Sequence, residues 1–304
     1  SRGADGRRGA MRNKRIAYLV MDDVGDYVTD FHLSVAPLAE LGWNVVEIPW
    51  RSRPDWNAFD AVYICTPWDY PKFPGEFLQV LETIDASRAR LLNELETVRW
   101  NLEKSYMKDV EARGDDIVPS SWYDDFAAAD VPLFFGAHGV DKVVIKPTIG
   151  ANAMDTFVLR NPVPDALLER LTRTFSGRSF FVQPFIEAIH EEGEYSLFFF
   201  SGEYSHAILK TPKTGDFRVQ EEHGATITPV APPEGLHDVA ARVFSHLEPL
   251  PVYGRGDWVR GPDGRFLLME LELIEPSLYL RTDSGAALRF ARALDQRFEE
   301  LTGK

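Results

Sequence analysis

Cysteine is almost absent from this 304-residue chain. Cys65, in AVYICTP, is the single one, which excludes a disulfide framework and any cysteine cluster for zinc or iron. Within an apolar strand it reads as a small buried hydrophobe. Positive charge is scarce too: 33 Lys and Arg against 47 Asp and Glu leave a net charge of −14. A phosphate backbone demands a basic footprint, so nucleic acid is excluded as the main partner; a single nucleotide, held by a few lysines and a metal, is not. No apolar run reaches the length of a transmembrane helix. The opening SRGADGRRGA, residues 1–10, has no apolar segment of the kind a signal peptide needs and reads as a disordered leader or tag. The expectation is a cytoplasmic protein with no membrane partner.

Signature motifs are missing as well. No GxxxxGK[ST] marks a P-loop, and GRGDWVRG lacks both the third glycine spacing and the helix of a dinucleotide fingerprint. The seven histidines form no HExxH or HxxxH pair, and no GxSxG marks a hydrolase elbow.

What is present begins with alternation. RIAYLVM, WNVVEIPW and DAVYICTP read as strands separated by YVTDFHLSVAPLAELG and followed by GEFLQVLETIDAS as helices. Strands alternating with helices imply a parallel sheet ending near Leu92. TVRWNLEKSYMKDVEARG reads as one helix, KVVIKP and SFFVQPFI as strands, and PDALLERLTRTF as a helix between them. EYSLFFFSG and EYSHAILK form a hairpin turned at Ser201-Gly202, and YGRGDWVRGPDGRFLLMELEL a second turned at Pro262-Asp263-Gly264, before a closing helix from Gly285. The fold class is α/β followed by α+β, with an N-terminal α/β domain over 11–95, a central segment over 96–187 and a C-terminal segment over 188–304.

Three carboxylates stand out in LLMELELIEPSLYL. Leu267, Met269, Leu271 and Leu273 alternate as one apolar strand face, which leaves Glu270 and Glu272 together on the other. Carboxylates that close repel and raise each other's pKa, unless a cation such as Mg²⁺ lies between them; the plain alternative is a solvated edge. Three lysines sit upstream: Lys104 in a helix, Lys146 at the end of VVIK before the small-residue loop TIGANAMDT, and Lys210 at the end of AILK. A strand-end lysine beside such a loop can hold phosphate oxygens, and a surface role is the alternative for each alone.

In this order these residues resemble the ATP-grasp superfamily over Arg15 to Leu301. The resemblance implies that ATP and two Mg²⁺ ions are bound. Lys104 and Lys146 match the α- and β-phosphate lysines, and Gly150, Ala151 and Asn152 the lid loop. Gln183, Pro184, Phe185 and Ile186 match the adenine linker. Glu194, in GEYS, matches the ribose glutamate, with Glu191 as its substitute. Asp257, Glu270 and Glu272 match the metal ligands, although many members have Asn where Glu272 stands. Arg255 matches the arginine that steadies the reacting acyl phosphate and, with Lys146, is the catalytic expectation. Arg218, His223 and Arg281 are the expected substrate contacts. WDY at Trp68–Tyr70, LLN at Leu91–Asn93 and RWNLEK at Arg99–Lys104 are similar to the branch that contains the cyclo-ligase forming D-cycloserine from O-ureido-D-serine.

The chemistry this implies is carboxylate–amine ligation. A substrate carboxylate takes the γ-phosphoryl group, ADP leaves, and an amine displaces phosphate to form an amide. Small-molecule carboxylate and amine substrates are the expected partners, with intramolecular cyclisation one form of the reaction and a homodimer common in the wider family. Two alternatives remain at this level: a ligase that crosslinks side chains of a ribosomal precursor peptide, and a nucleotide-binding module without catalysis.

Overall fold

The computed structural model describes residues 13–303, so the expected leader over 1–10 lies outside the described residues. The first layer is a parallel sheet, order β2-β1-β3-β4, of β1 (Lys14–Val20), β2 (Trp43–Pro49), β3 (Ala61–Thr66) and β4 (Arg90–Leu92). Its strands are connected by α1 (Val35–Glu40) and α2 (Pro74–Asp85). The helix expected over 27–42 shrinks to α1 and a preceding 3-10 turn, Phe31–Ser34. β3 is buried at every position, as a parallel strand covered on both faces must be.

Next come α3 (Leu95–Asn101) and α4 (Tyr106–Ala112), where the sequence pattern implies one helix. The break falls at Leu102–Ser105, so Lys104 sits on a turn, not in a helix, and its backbone N–H donates to the Thr148 carbonyl at 2.8 Å. The apolar period runs on through the turn because both helices bury one face, and periodicity alone does not register the change of direction. A second sheet, order β5-β8-β6-β7, follows from β5 (Ser121–Tyr123), β6 (Lys142–Pro147), β7 (Phe157–Arg160) and β8 (Phe180–Pro184), with α5 (Val131–Gly136) and α6 (Asp165–Phe175) behind it.

The third sheet is antiparallel, order β11-β10-β9-β12-β13. After the short α7 (Ala188–Glu191), it comprises β9 (Glu194–Phe200), β10 (Glu203–Thr211), β11 (Thr226–Pro229), β12 (Tyr253–Arg260) and β13 (Phe266–Glu272). α8 (Leu236–Ser245) covers one face; α9 (Ala286–Thr302) packs with Phe198 and Phe200 of β9 and with β1 and β3 in one core. Both expected hairpins, β9–β10 and β12–β13, pair as read. Among the described residues no helix is long and apolar enough to cross a membrane.

Candidate active site

β13 is an edge strand; its outward groups at Leu268 are closed by the backbone of Asp116 and Val118, at 2.9 and 3.0 Å, and those at Leu271 and Leu273 by side chains. Asn101 donates to the Leu271 carbonyl at 2.9 Å and accepts the Leu273 N–H at 2.8 Å, while the Tyr106 hydroxyl accepts the Leu271 N–H at 2.8 Å. Asn93 donates to the carbonyls of Leu273 and Tyr253 at 2.8 Å each and accepts the Val252 N–H at 2.6 Å. All three residues are buried. The strand is therefore held in place on both sides of Glu270 and Glu272.

Pairing with β12 puts Asp257 opposite Glu270 and Arg255 opposite Glu272, but Trp258 pairs with Leu268, so Met269 is the extra residue of a bulge. The bulge corrects one expectation. Leu271 and Leu273 share a core with Leu268 and Phe266, while Leu267 packs in a different cluster and Met269 turns to the cavity side. One inserted residue shifts the parity of everything before it.

Between the second and third sheets lies a cleft enclosing about 960 Å³, solvent mouth included. Lys104, Lys146, Gly150, Ala151, Asn152, Gln183, Pro184, Phe185, Ile186, Glu194, Arg218, Arg255, Asp257, Glu270 and Glu272 all line it. Part of the lining is apolar, with Val144, Ile186, Ile189, Val219 and Met269, and part is charged. That division suits a base against the apolar part and phosphates against the charged part. Three of the expected nucleotide and substrate contacts do not line the cleft. Glu191 is exposed at the end of α7. His223 contacts the Asn152 carbonyl at 3.2 Å. Arg281 is paired with Asp30 and Glu221.

The charges are arranged in compensated groups. Lys104 pairs with Glu270. Lys146 donates to Gln183 at 2.8 Å and lies 3.4 Å from the Met269 sulfur; Gln183 in turn donates to Ser120 at 3.1 Å. Arg255 holds Asp257 with two nitrogens, at 3.0 and 3.2 Å, and reaches Glu272 at 2.5 Å. Lys210, buried, bridges Glu194 at 2.8 Å and Asp257 at 3.5 Å, and Ser196 donates to Asp257 at 2.6 Å. Gly193 makes the Glu194–Lys210 pairing feasible: its φ is +108°, and a Cβ there would meet the Lys210 carbonyl at 2.6 Å.

Electrostatics follow this pairing. Burial pushes the Glu270 carboxyl up, but Lys104 and Arg255 together more than offset it, so Glu270 titrates below the usual range. Asp257 is likewise buried, and Arg255 and Lys210 hold it down. Burial outweighs Arg255 at Glu272 and, with the Glu270 charge, lifts it to about 7. Burial also lowers Lys146. Asp257, Glu270 and Glu272 offer the hard oxygens that suit Mg²⁺. Among the described residues no three acidic or histidine side chains converge on a point that would hold an ion unaided. The set fits an ion that takes the rest of its oxygens from phosphates and water, the usual way Mg²⁺ is bound beside a nucleotide.

Glu275 is the residue the sequence reading left without a role. Its Oε1 accepts from the Tyr70 hydroxyl at 3.1 Å, and its backbone carbonyl accepts from Trp68 Nε1 at 3.0 Å. The WDY tripeptide of the first domain is thus fastened to the loop after β13. Burial and the Glu272 charge raise the Glu275 carboxyl to about 8. The sequence signal was the tripeptide itself, Trp68 to Tyr70.

The loop expected to serve as the lid lacks glycine where the backbone turns left-handed. Asn152, Ala153 and Asp155 have φ of 57°, 57° and 55°, a conformation non-glycine residues adopt only under constraint. The constraints are visible: Asn152 donates to the Tyr27 hydroxyl at 3.1 Å and its carbonyl meets His223, while Asp155 pairs with Arg178 at 2.7 Å.

Comparison with known proteins agrees with this fold. Residues 16–93 match the family model described as the N-terminal domain of D-cycloserine synthetase DcsG. The cycloserine biosynthesis protein DcsG of Streptomyces lavendulae is 33% identical over 260 residues, spanning 81% of this chain and 85% of that protein. The crystal structure of D-cycloserine synthetase DcsG superposes with a TM-score of 0.82 at 31% identity, covering 93% of this chain and 99% of the other. The ATP-grasp ligase PsnB, solved with a minimal precursor, Mg and ADP, is similar in fold alone, with a TM-score of 0.61 at 15% identity over 95% of this chain and 99% of that one.

Proposed function

The chain belongs to the family of the cycloserine biosynthesis protein DcsG and carries the ATP-grasp fold, and from that membership we propose that it is an ADP-forming carboxylate–amine ligase acting on an amino-acid-like small molecule. The observation that carries the reading is one cleft in which Lys104, Lys146, Arg255, Asp257, Glu270 and Glu272 form the charged part of the lining beside an apolar part.

ATP enters with its base against Ile186, Ile189 and Met269 and its phosphates toward Lys104 and Lys146. Asp257, Glu270 and Glu272 are the residues that would hold Mg²⁺, which neutralises charge on the transferring phosphoryl group when bound. With nucleotide bound, Lys104 would turn from Glu270 to a phosphate oxygen, which would leave the Glu270 carboxylate for the ion. Arg255 presents a buried, pre-aimed fork to the developing negative charge of the acyl phosphate and its tetrahedral successor. Glu194 faces the same cleft and suits the ribose hydroxyls. Cyclisation within one molecule, as in D-cycloserine formation, is the form of the reaction that the family supports. Tyr27, Trp68 and the segment 220–222 wall the space beyond Arg255, which suits a small molecule better than a peptide. A ligase of this kind works in the cytoplasm, where ATP is available.

The test is nucleotide analysis of the purified chain with Mg·ATP and O-ureido-D-serine or other amino-acid carboxylates. ADP and phosphate released in proportion to amide product support the reading; AMP and pyrophosphate overturn it.

A further inference from the structure

A second cavity of about 560 Å³ adjoins the nucleotide cleft, sharing Ala151, Asn152, Gln220, Arg255 and Glu272 with it. Its other walls include Tyr27, Trp68, Glu222 and Glu275. Three side-chain oxygens of its lining are buried without a hydrogen-bond partner: Gln220 Oε1, Glu222 Oε1 and Glu275 Oε2. Gln220 Oε1 and Glu222 Oε1 are acceptors, and Glu275 Oε2 becomes one when its carboxyl is ionised. Buried acceptors without partners are costly in a native structure, and several around one cavity imply a ligand rich in N–H donors.

Charge narrows the ligand further. Among the cavity's ionic residues, Glu221 is paired with Arg281, Glu272 with Arg255, and Lys210 with Glu194 and Asp257. Glu222 and Glu275 have no cationic partner among the described residues; burial keeps a proton on Glu275 in the empty cavity at neutral pH, and an arriving cation displaces that proton to water. A neutral donor would satisfy the oxygens but leave Glu222 without a countercharge. An inorganic cation is a poor match for a wall made by Tyr27 and Trp68, whose rings meet edge to face at 5.0 Å, whereas an organic ammonium is attracted by aromatic rings and carboxylates alike.

We propose that this cavity binds the ammonium group of an amino-acid substrate, with Glu275 and Glu222 as its anionic partners and Tyr27 and Trp68 as its aromatic wall. The assignment rests on the ligase reading for its orientation: the substrate carboxylate lies at Arg255, on the wall shared with the nucleotide cleft, and the α-ammonium one carbon away turns into the second cavity. Tyr70 and Trp68 hold Glu275 in place, so the WDY tripeptide acts as a positioning element for substrate selection. Asn152, tied to the Tyr27 hydroxyl, links this pocket to the lid loop.

Equilibrium binding tests the assignment without turnover. The full chain, loaded with Mg²⁺ and a non-hydrolysable ATP analogue, is titrated calorimetrically with O-ureido-D-serine and with its N-acetyl derivative. The wild type is expected to bind the free amine at least tenfold more tightly. Glu275→Gln and, separately, Glu222→Gln are expected to erase most of that preference while changing affinity for the N-acetyl compound less than twofold. Two variants guard against one that fails to fold. Equal affinity for the two compounds in the wild type, absence of binding by both, or a preference that survives both substitutions overturns the assignment. An amine preference without ATP turnover by the wild type overturns the ligase reading and leaves the ammonium pocket standing.

Discussion

Asn101 meets the edge of β13 with both ends of its amide, donating to the Leu271 carbonyl at 2.9 Å and accepting the Leu273 N–H at 2.8 Å. This contact fixes the strand that carries Glu270 and Glu272 while leaving both carboxylates free for the cleft. Asn101→Ala leaves two buried backbone groups without partners, each worth roughly 1–3 kcal/mol. A loss of about 2–4 kcal/mol in urea unfolding is expected, together with lower ligase activity. A loss below about 0.5 kcal/mol would mean that the edge is satisfied in some other way.

Glu270→Gln removes a metal ligand and keeps the shape. Expected is a fall in ADP release of about two orders of magnitude or more, in line with the loss of a group aimed at transition-state charge, with the circular dichroism spectrum unchanged. ADP release near the wild-type rate would remove Glu270 from the metal-binding set.

Lys210 lies between Glu194 and Asp257 and is the cation paired with Glu194 among the described residues, whereas Asp257 is also held by Arg255. Breaking a buried ion pair on one side costs about 3–5 kcal/mol because the remaining charge is stranded. Lys210→Met is expected to destabilise in that range, and adding Glu194→Gln should recover about 1 kcal/mol or more. Strictly additive effects in the cycle would show that the two side chains do not interact.

Stability should depend on pH through Glu275. Its carboxyl has an ordinary value of 4.5 and is raised to about 8 in the native chain by burial and the charge of Glu272. Between those values the native chain holds a proton that the unfolded chain has lost. The group's contribution is therefore complete below pH 4.5 and is lost as pH rises through about 8. In the nucleotide-free protein, wild-type stability relative to Glu275→Gln should decline from pH 5 to pH 9. Parallel stability profiles for the two proteins would exclude the shift.

Much of this was readable from the sequence because it is local. Lys146 ends an apolar strand, Glu270 and Glu272 alternate with leucines, and Gly193-Glu194 opens a strand; each depends on neighbours within a few residues. The unread part is set by contacts across the chain. Nothing near Met269 announces the bulge, which arises from pairing with Asp257 and Trp258 on another strand. The turn that places Lys104 is fixed by Thr148, and Glu275 acquires its partners from Trp68 and Tyr70, some 200 residues earlier. The short edge strands Ser121–Tyr123 and Thr226–Pro229 are too brief for periodicity to mark.

Carboxylate activation is the centre of the account, and hydroxylamine tests it directly. The chain is incubated with Mg·ATP, hydroxylamine and pools of amino-acid-like carboxylates, since hydroxylamine intercepts an acyl phosphate whatever amine normally follows. The account predicts an ATP-dependent hydroxamate with an equal amount of ADP, formed from a pool that contains a free α-amine. Hydroxamate accompanied by AMP, or no hydroxamate from any pool while Mg·ATP is bound, would contradict it.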